Sequence, residues 1–261
     1  MKKSGNFNST TLVILSVLFF LLSHYLVVFI HEYAHAITAW LLGDKRSPLD
    51  LNYGGTSIGN LLLLMNIDQN VNNELLYAQG HPWHVALIAL AGPGITLLLY
   101  FITYWLMQTN QFKHRILTLY FLFFCNLWCL AGTYAYVPVR TFTQSGVMVD
   151  ILDIEQSLHI SPWLIYFFMG YLVAFMFWQF FTKTIITIYT CIGIKSTPGR
   201  ASLMVFCVLV LFGYVALAGI SHHGEISHFI SVTSLYAIPG LVIVLWPTRL
   251  WVQHRINVSN C

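Results

Sequence analysis

The chain has 261 residues, 57% of them hydrophobic and only 8% charged, with a formal net charge of +3. Soluble globular domains carry about a quarter charged residues, so this composition excludes one and describes an integral membrane protein. So small a positive balance gives no reason to invoke nucleic acid.

In chain order, six windows are long and apolar enough to cross ~30 Å of hydrocarbon at ~1.5 Å of helix rise per residue. They cover residues 11–42, 83–107, 114–137, 162–184, 201–220 and 228–246. The first is longer than one span needs and too short for two, which predicts a helix that tilts, protrudes or kinks. No small-residue cleavage site follows it, so it reads as a retained helix and not as a signal peptide. Two loops carry information, residues 43–81 and 138–161. The first loop contains "LDLNYGGTSIGNLLLLMNID", residues 49–68, with a Gly-Gly turn signal between apolar patches. That pattern predicts either a small β-hairpin or, at residues 61–64, a membrane-surface anchor. The expected fold class is therefore all-α and polytopic, about six transmembrane helices, with a small β-hairpin as one of the two readings of the loop after the first.

The basic residues orient the spans. Lys2, Lys3, Lys113, Arg115, Lys183, Lys195, Arg200, Arg249 and Arg255 fall on one side, against Lys45, Arg46 and Arg140 on the other. This bias predicts that both termini lie in the cytoplasm. Cys125, Cys129, Cys191, Cys207 and Cys261 read as small, polarizable packing residues. Every carboxylate falls in the opposite loops except Glu32, which lies inside a span.

Glu32 belongs to "FIHEYAHAI", residues 29–37. His31 and His35 are one helical turn apart, near enough to share one metal ion, and Glu32 stands beside the first of them. This is an H-E-x-x-H arrangement, in which two imidazoles hold zinc and the glutamate handles the proton of a water molecule. An ionisable group at mid-span costs ~2.5 to 3.5 kcal/mol on insertion scales, so three within five residues require partners or a task. The competing reading is a polar cluster that hydrogen-bonds between helices.

With "FIHEYAHAITAWLLG" in a membrane helix and "ALAGPGITLLL" at residues 89–99, the sequence resembles the site-2 protease family of intramembrane zinc metalloproteases. The second stretch is similar to the family's Gly-Pro helix, which packs on the metal helix. Gly92, Pro93 and Gly94 remove bulk and one backbone donor, so such a helix can bend and approach a neighbour closely. Thr96 stands where relatives often carry asparagine. The resemblance also implies a third, carboxylate ligand from a region that reads "AYVPVRTFTQSGVMVDILDIEQ" here, residues 135–156. Pro138 matches the family pattern, Ala135 replaces its asparagine, and no Asp-Gly follows. Asp150 is the candidate ligand, with Asp153 the alternative, and His81 and His84 are further candidates that also suit an interfacial anchor.

The implied activity is a zinc metalloendopeptidase, with Zn2+ on His31, His35 and Asp150 and Glu32 as the catalytic base. Its substrates would be membrane proteins or peptides, cleaved within or near the lipid bilayer in a locally extended form. Two other readings stand beside it: a non-catalytic metal-binding relative acting as an interaction protein, and a metal-ion transporter. On this reading the single membrane domain, 1–261, divides into a metallopeptidase-like core at 11–160, additional helices at 162–246 and a short tail at 247–261. Relatives turn the loop and the completing aspartate toward the cytoplasm, whereas the basic residues here place both outside. His24 lies too far along the helix to share the ion. Asn126, Tyr134, Tyr136 and Arg140 suit hydrogen bonding to substrate or packing equally and stay outside the catalytic set. His222, His223 and His228 read as a solvated cluster.

Overall fold

The computed structural model describes residues 9–64, 66–144, 150–220 and 224–259. The first helix, α1 (Ser9–Leu41), runs unbroken for 33 residues. It stops where Gly43 takes φ 85°, with the Gly43 and Asp44 N–H groups closing onto the Trp40 and Ala39 carbonyls. This is the left-handed cap that glycine adopts without a Cβ penalty. Two short helices follow, α2 (Ile58–Leu63) and α3 (Asn73–Ala78), and then the long α4 (Pro82–Gln108). Pro82 opens α4, where a missing N–H breaks no helical bond.

A single turn, α5 (Asn110–Lys113), leads into α6 (Ile116–Tyr134), which gives out in a π-helical turn at Ala135–Val139. Next comes the nine-residue α7 (Asp150–Leu158). The rod of α8 (Pro162–Gln179), a π-turn at Phe180–Thr184 and α9 (Ile185–Cys191) follows. The chain ends its described course with α10 (Thr197–Val208), α11 (Glu225–Leu245) and α12 (Leu250–Val258). A π-turn (Leu209–Tyr214) and a 3-10 turn (Val215–Gly219) extend α10.

Six of these stretches are long and apolar enough to cross a membrane: Thr10–Leu41, Pro82–Gln108, Ile116–Val139, Pro162–Cys191, Thr197–Gly219 and Glu225–Leu245. They fall on the six expected windows. The fourth runs further than expected, to Cys191, and in the added turns Thr190 satisfies its hydroxyl on the helix itself, donating to the Ile186 carbonyl at 3.0 Å. The chain is thus an all-α, multi-pass membrane protein.

The core centres on α6, whose Phe123, Phe124, Leu127 and Leu130 are fully buried, together with Tyr100 of α4 and Met176 and Phe180 of the α8–α9 rod. In lipid such contacts are held by close packing and interhelical hydrogen bonds more than by expulsion of water. Two such bonds run from the Tyr100 hydroxyl to the Met176 carbonyl at 2.8 Å and to Gln179 Oε1 at 2.5 Å. Cys125, Cys129 and Cys207 are free and buried. Cys191 is disulfide-bonded, which corrects the packing role expected for it.

The expected hairpin does not form. Among the described residues of the first loop there is one antiparallel bridge, Asn52 with Asp68, and no strand. The apolar run expected to be an edge winds instead into α2, because the Ser57 hydroxyl caps the Asn60 N–H. Asn60 is itself buried, and its amide donates to the carbonyls of Tyr53 and Gly55 at 2.5 and 2.7 Å while accepting from Asn66 N–H at 2.9 Å. Lys45 ties the far side, its ammonium reaching the carbonyls of Asp50, Gln69 and Asn70 at 2.6 to 3.0 Å. The loop is compact through side-chain-to-backbone bonds where a ladder was expected.

Candidate metal centre

Three elements meet at the site: α1 brings His31, Glu32 and His35, α4 lies across them, and α7 supplies Asp150. Packing of α4 along both α1 and α7 sets this register. All four polar side chains are buried, with relative exposures of 7% for His31 and Glu32, 1% for His35 and 8% for Asp150. His31, His35 and Asp150 each offer a ligand atom within 4.8 Å of the others, so this buried group could hold a metal ion.

Hydrogen bonding determines which ring nitrogens face inward as bare lone pairs. His35 Nδ1 lies 2.5 Å from the Ile88 carbonyl, which only accepts, so Nδ1 carries the proton. His31 Nδ1 lies 2.9 Å from Thr96 Oγ1, and that hydroxyl sends its own proton to the Gly92 carbonyl at 2.9 Å. Thr96 therefore accepts, and His31 Nδ1 also carries its proton. In the neutral rings both Nε2 atoms are then unprotonated, and they face each other at 3.1 Å. Asp150 Oδ2 closes the triangle at 3.5 Å from each.

Three electron-rich atoms converging in a buried space repel one another unless a cation lies between them. A proton on one ring would serve at the 3.1 Å edge. The two 3.5 Å edges are another matter. A charge-assisted N–H···O bond is ~2.7–2.9 Å long, so these are too wide for it. Ligand atoms around a tetrahedral ion with ~2.0–2.1 Å bonds, the length typical of imidazole and carboxylate on Zn2+, stand ~3.3–3.4 Å apart. The triangle has that size.

Two further observations agree with the donor set. A Cβ built on Gly92 would clash with both ligand nitrogens, His35 Nε2 and His31 Nε2. Glycine is thus required where α4 crosses the histidines, while a Cβ at Gly94 meets nothing. Burial works against charge on Asp150, but with protons on the imidazoles opposite it, His35 above all, their charge and hydrogen bonds outweigh burial and hold its carboxyl well below the usual range. Asp150 is a carboxylate, as a ligand must be.

Glu32 lies close enough to His35 and Asp150 to feel their charge, and it accepts a hydrogen bond from the Gln69 backbone of the first loop. Asp153, the alternative ligand, points elsewhere: its Oδ2 accepts from Asn73 Nδ2 at 2.7 Å and its carbonyl from the Tyr77 hydroxyl at 3.2 Å. It fastens α7 to α3, and burial raises its carboxyl to about 6. His84 Nδ1 pairs with Asp44 Oδ2 at 2.8 Å, with the His81 ring stacked on its own, so neither reaches the triangle. His24 is buried against Trp128 and bonds the Leu63 carbonyl at 2.8 Å. Asn126 is occupied by Tyr100 and Thr103, and Tyr134 by Ser234, which makes both packing residues. His228 bonds the Ile220 carbonyl at 3.2 Å, and His222 and His223 lie outside the described residues.

Two participants were named in the sequence but left outside the candidate site, Tyr136 among the residues suited equally to substrate hydrogen bonding or packing. Thr96 was visible only as a departure from a family pattern, and its hydroxyl orients His31. Tyr136 stacks on the His31 ring with centroids 5.4 Å apart. Comparison with known protein families, with curated proteins and with solved structures finds no match to this chain.

Proposed function

We propose that the chain is an intramembrane zinc metalloendopeptidase, similar to site-2 proteases, that hydrolyses peptide bonds of membrane-protein substrates within or near the bilayer. The observation that carries this reading is the triangle of two bare imidazole nitrogens and one carboxylate oxygen, with Glu32 buried beside it. Two histidines and a carboxylate on zinc leave a fourth position open, which is the pattern of hydrolytic sites and not of closed structural ones.

His31, His35 and Asp150 would hold the ion, while Ile88 and Thr96 fix the imidazole tautomers that leave Nε2 free. Zn2+, when bound, supplies a Lewis acid that lowers the pKa of water to ~7 and polarises a carbonyl. Glu32 accepts the proton of the attacking water on its carboxylate and passes it to the leaving amine. Substrate must arrive extended, since a helical segment has its carbonyls occupied. The basic-residue bias places both termini in the cytoplasm and this site toward the opposite face.

The test uses the purified full chain in detergent. One zinc per chain is expected, and Glu32→Gln is expected to keep the metal while losing cleavage of a membrane-protein substrate. Cleavage by Glu32→Gln at the wild-type rate would overturn the reading. Zinc retention without cleavage by the wild type would instead favour a non-catalytic metal-binding protein. Zinc flux in liposomes would favour a transporter.

A further inference from the structure

Tyr136 sits where α6 unwinds, two residues before Pro138. Val137 is extended there, with φ −135° and ψ 120°, as the residue before a proline prefers. The chain thereby leaves the helix axis toward α7, and the Tyr136 side chain is buried among the metal-site residues. Its ring lies nearly parallel to His31, with 11° between the planes, and its hydroxyl is 3.0 Å from His31 Nε2. Because that nitrogen is a bare lone pair, the phenol is the donor. The Asp150 carboxylate and the Arg140 guanidinium are both close enough to interact with the phenol.

Stacking alone would bury the ring without directing the hydroxyl at a ligand atom. Here the O–H is aimed into the space where His31, His35 and Asp150 converge. When a cation takes the Nε2 lone pair, the phenolic proton loses that acceptor and is left to the Asp150 carboxylate or to a group entering the site. The reaction brings one new acceptor into this space, the oxygen of the carbonyl under attack. Thr96, whose hydroxyl accepts from His31 Nδ1, does not compete for it, because its proton goes to the Gly92 carbonyl.

We propose that Tyr136 is a catalytic residue, its phenolic O–H donating to the oxyanion that develops on the scissile carbonyl. This role rests on the peptidase reading above. Donors of this kind are worth about 100- to 1,000-fold in kcat when removed singly.

The experiment compares the wild type, Tyr136→Phe and Glu32→Gln, each purified as the full chain and loaded with Co2+, whose visible absorption reports the ligand set. The probe is a peptidyl phosphonate, a stable tetrahedral anion, titrated by that absorption alongside turnover of a peptide. Tyr136→Phe is expected to keep one cobalt per chain with an unchanged metal-only spectrum. Its kcat should fall about 100-fold with KM within about threefold, and phosphonate should bind about 100-fold more weakly. Glu32→Gln should lose turnover but still bind the phosphonate. Wild-type kcat and phosphonate affinity in Tyr136→Phe would overturn the proposal. Loss of cobalt by Tyr136→Phe would also overturn it, by showing that the ring only supports His31. A wild type that binds cobalt but neither cleaves the peptide nor binds the phosphonate would overturn the peptidase reading, and this role with it.

Discussion

A ligand histidine is only as good as the bond on its other nitrogen. His35 presents Nε2 because a backbone carbonyl holds Nδ1–H, and no side-chain substitution can remove that bond. His31 depends instead on one hydroxyl, Thr96 Oγ1, whose acceptor role is imposed by the Gly92 carbonyl. Thr96→Val keeps the shape of the side chain and deletes the acceptor, leaving a buried Nδ1–H without a partner. Metal affinity is expected to fall about 10- to 100-fold, the usual effect of losing such an outer bond. Thr96→Ser, which retains the hydroxyl, should stay close to the wild type. Chelator competition measures both, and equal affinities for the valine and serine variants would refute the role given to Thr96. This dependence was not legible from one chain: in the sequence Thr96 is a polar residue in an apolar helix. The choice between Asp150 and Asp153 was equally hidden, since both are carboxylates on the same side of a short helix. The packing of α7 on α4 and α3 decides between them, by giving Asp153 to Asn73 and Asp150 to the histidines.

At the level of the helices, the centre exists because α4 can lie closer to α1 than a side chain would allow. Gly92 provides that approach, and a methyl group there would clash with both Nε2 atoms. Gly92→Ala should therefore cost the metal before it costs the fold, since a rearrangement of two imidazoles is enough to relieve the contact. The expected result is a chain of wild-type helicity by circular dichroism that retains under about a tenth of the wild-type metal. Full metal occupancy in Gly92→Ala would contradict the placement of α4. The six spans and the histidine pair were legible because periodicity and length report them directly. The first loop was not, because its Gly-Gly pair and apolar residues fit a hairpin and a capped turn equally well. What separates the two is Asn60, buried and bonded to three backbone groups that a ladder would otherwise have paired.

Across the whole molecule, the candidate metal centre joins parts of the chain separated by more than a hundred residues: α1 at His31 and α7 at Asp150. The bonds from Asp153 and Ser157 run instead to Asn73 and Tyr77 in the first loop, and α7 otherwise reaches α1 through α4, which packs against both. Removing the ion leaves a carboxylate and two lone pairs facing one another in a buried space, so the apo chain loses a tether and gains a repulsion. Any ligand that binds only the folded state stabilises it by ~2.7 kcal/mol at a hundred times its dissociation constant. For a chain of this size that is about 5–10 °C in melting temperature. A chelator should thus lower the melting temperature of the detergent-solubilised protein by about this much at neutral pH, and added zinc should restore it. The effect should fade as pH falls, because protons then compete for the same imidazole nitrogens and replace the ion. His35→Ala should melt near the chelated temperature and no longer respond to chelator or zinc. If the wild type were equally indifferent to both, the convergence of α1, α4 and α7 would be held by a proton shared among His31, His35 and Asp150, and the metal would have no part in it.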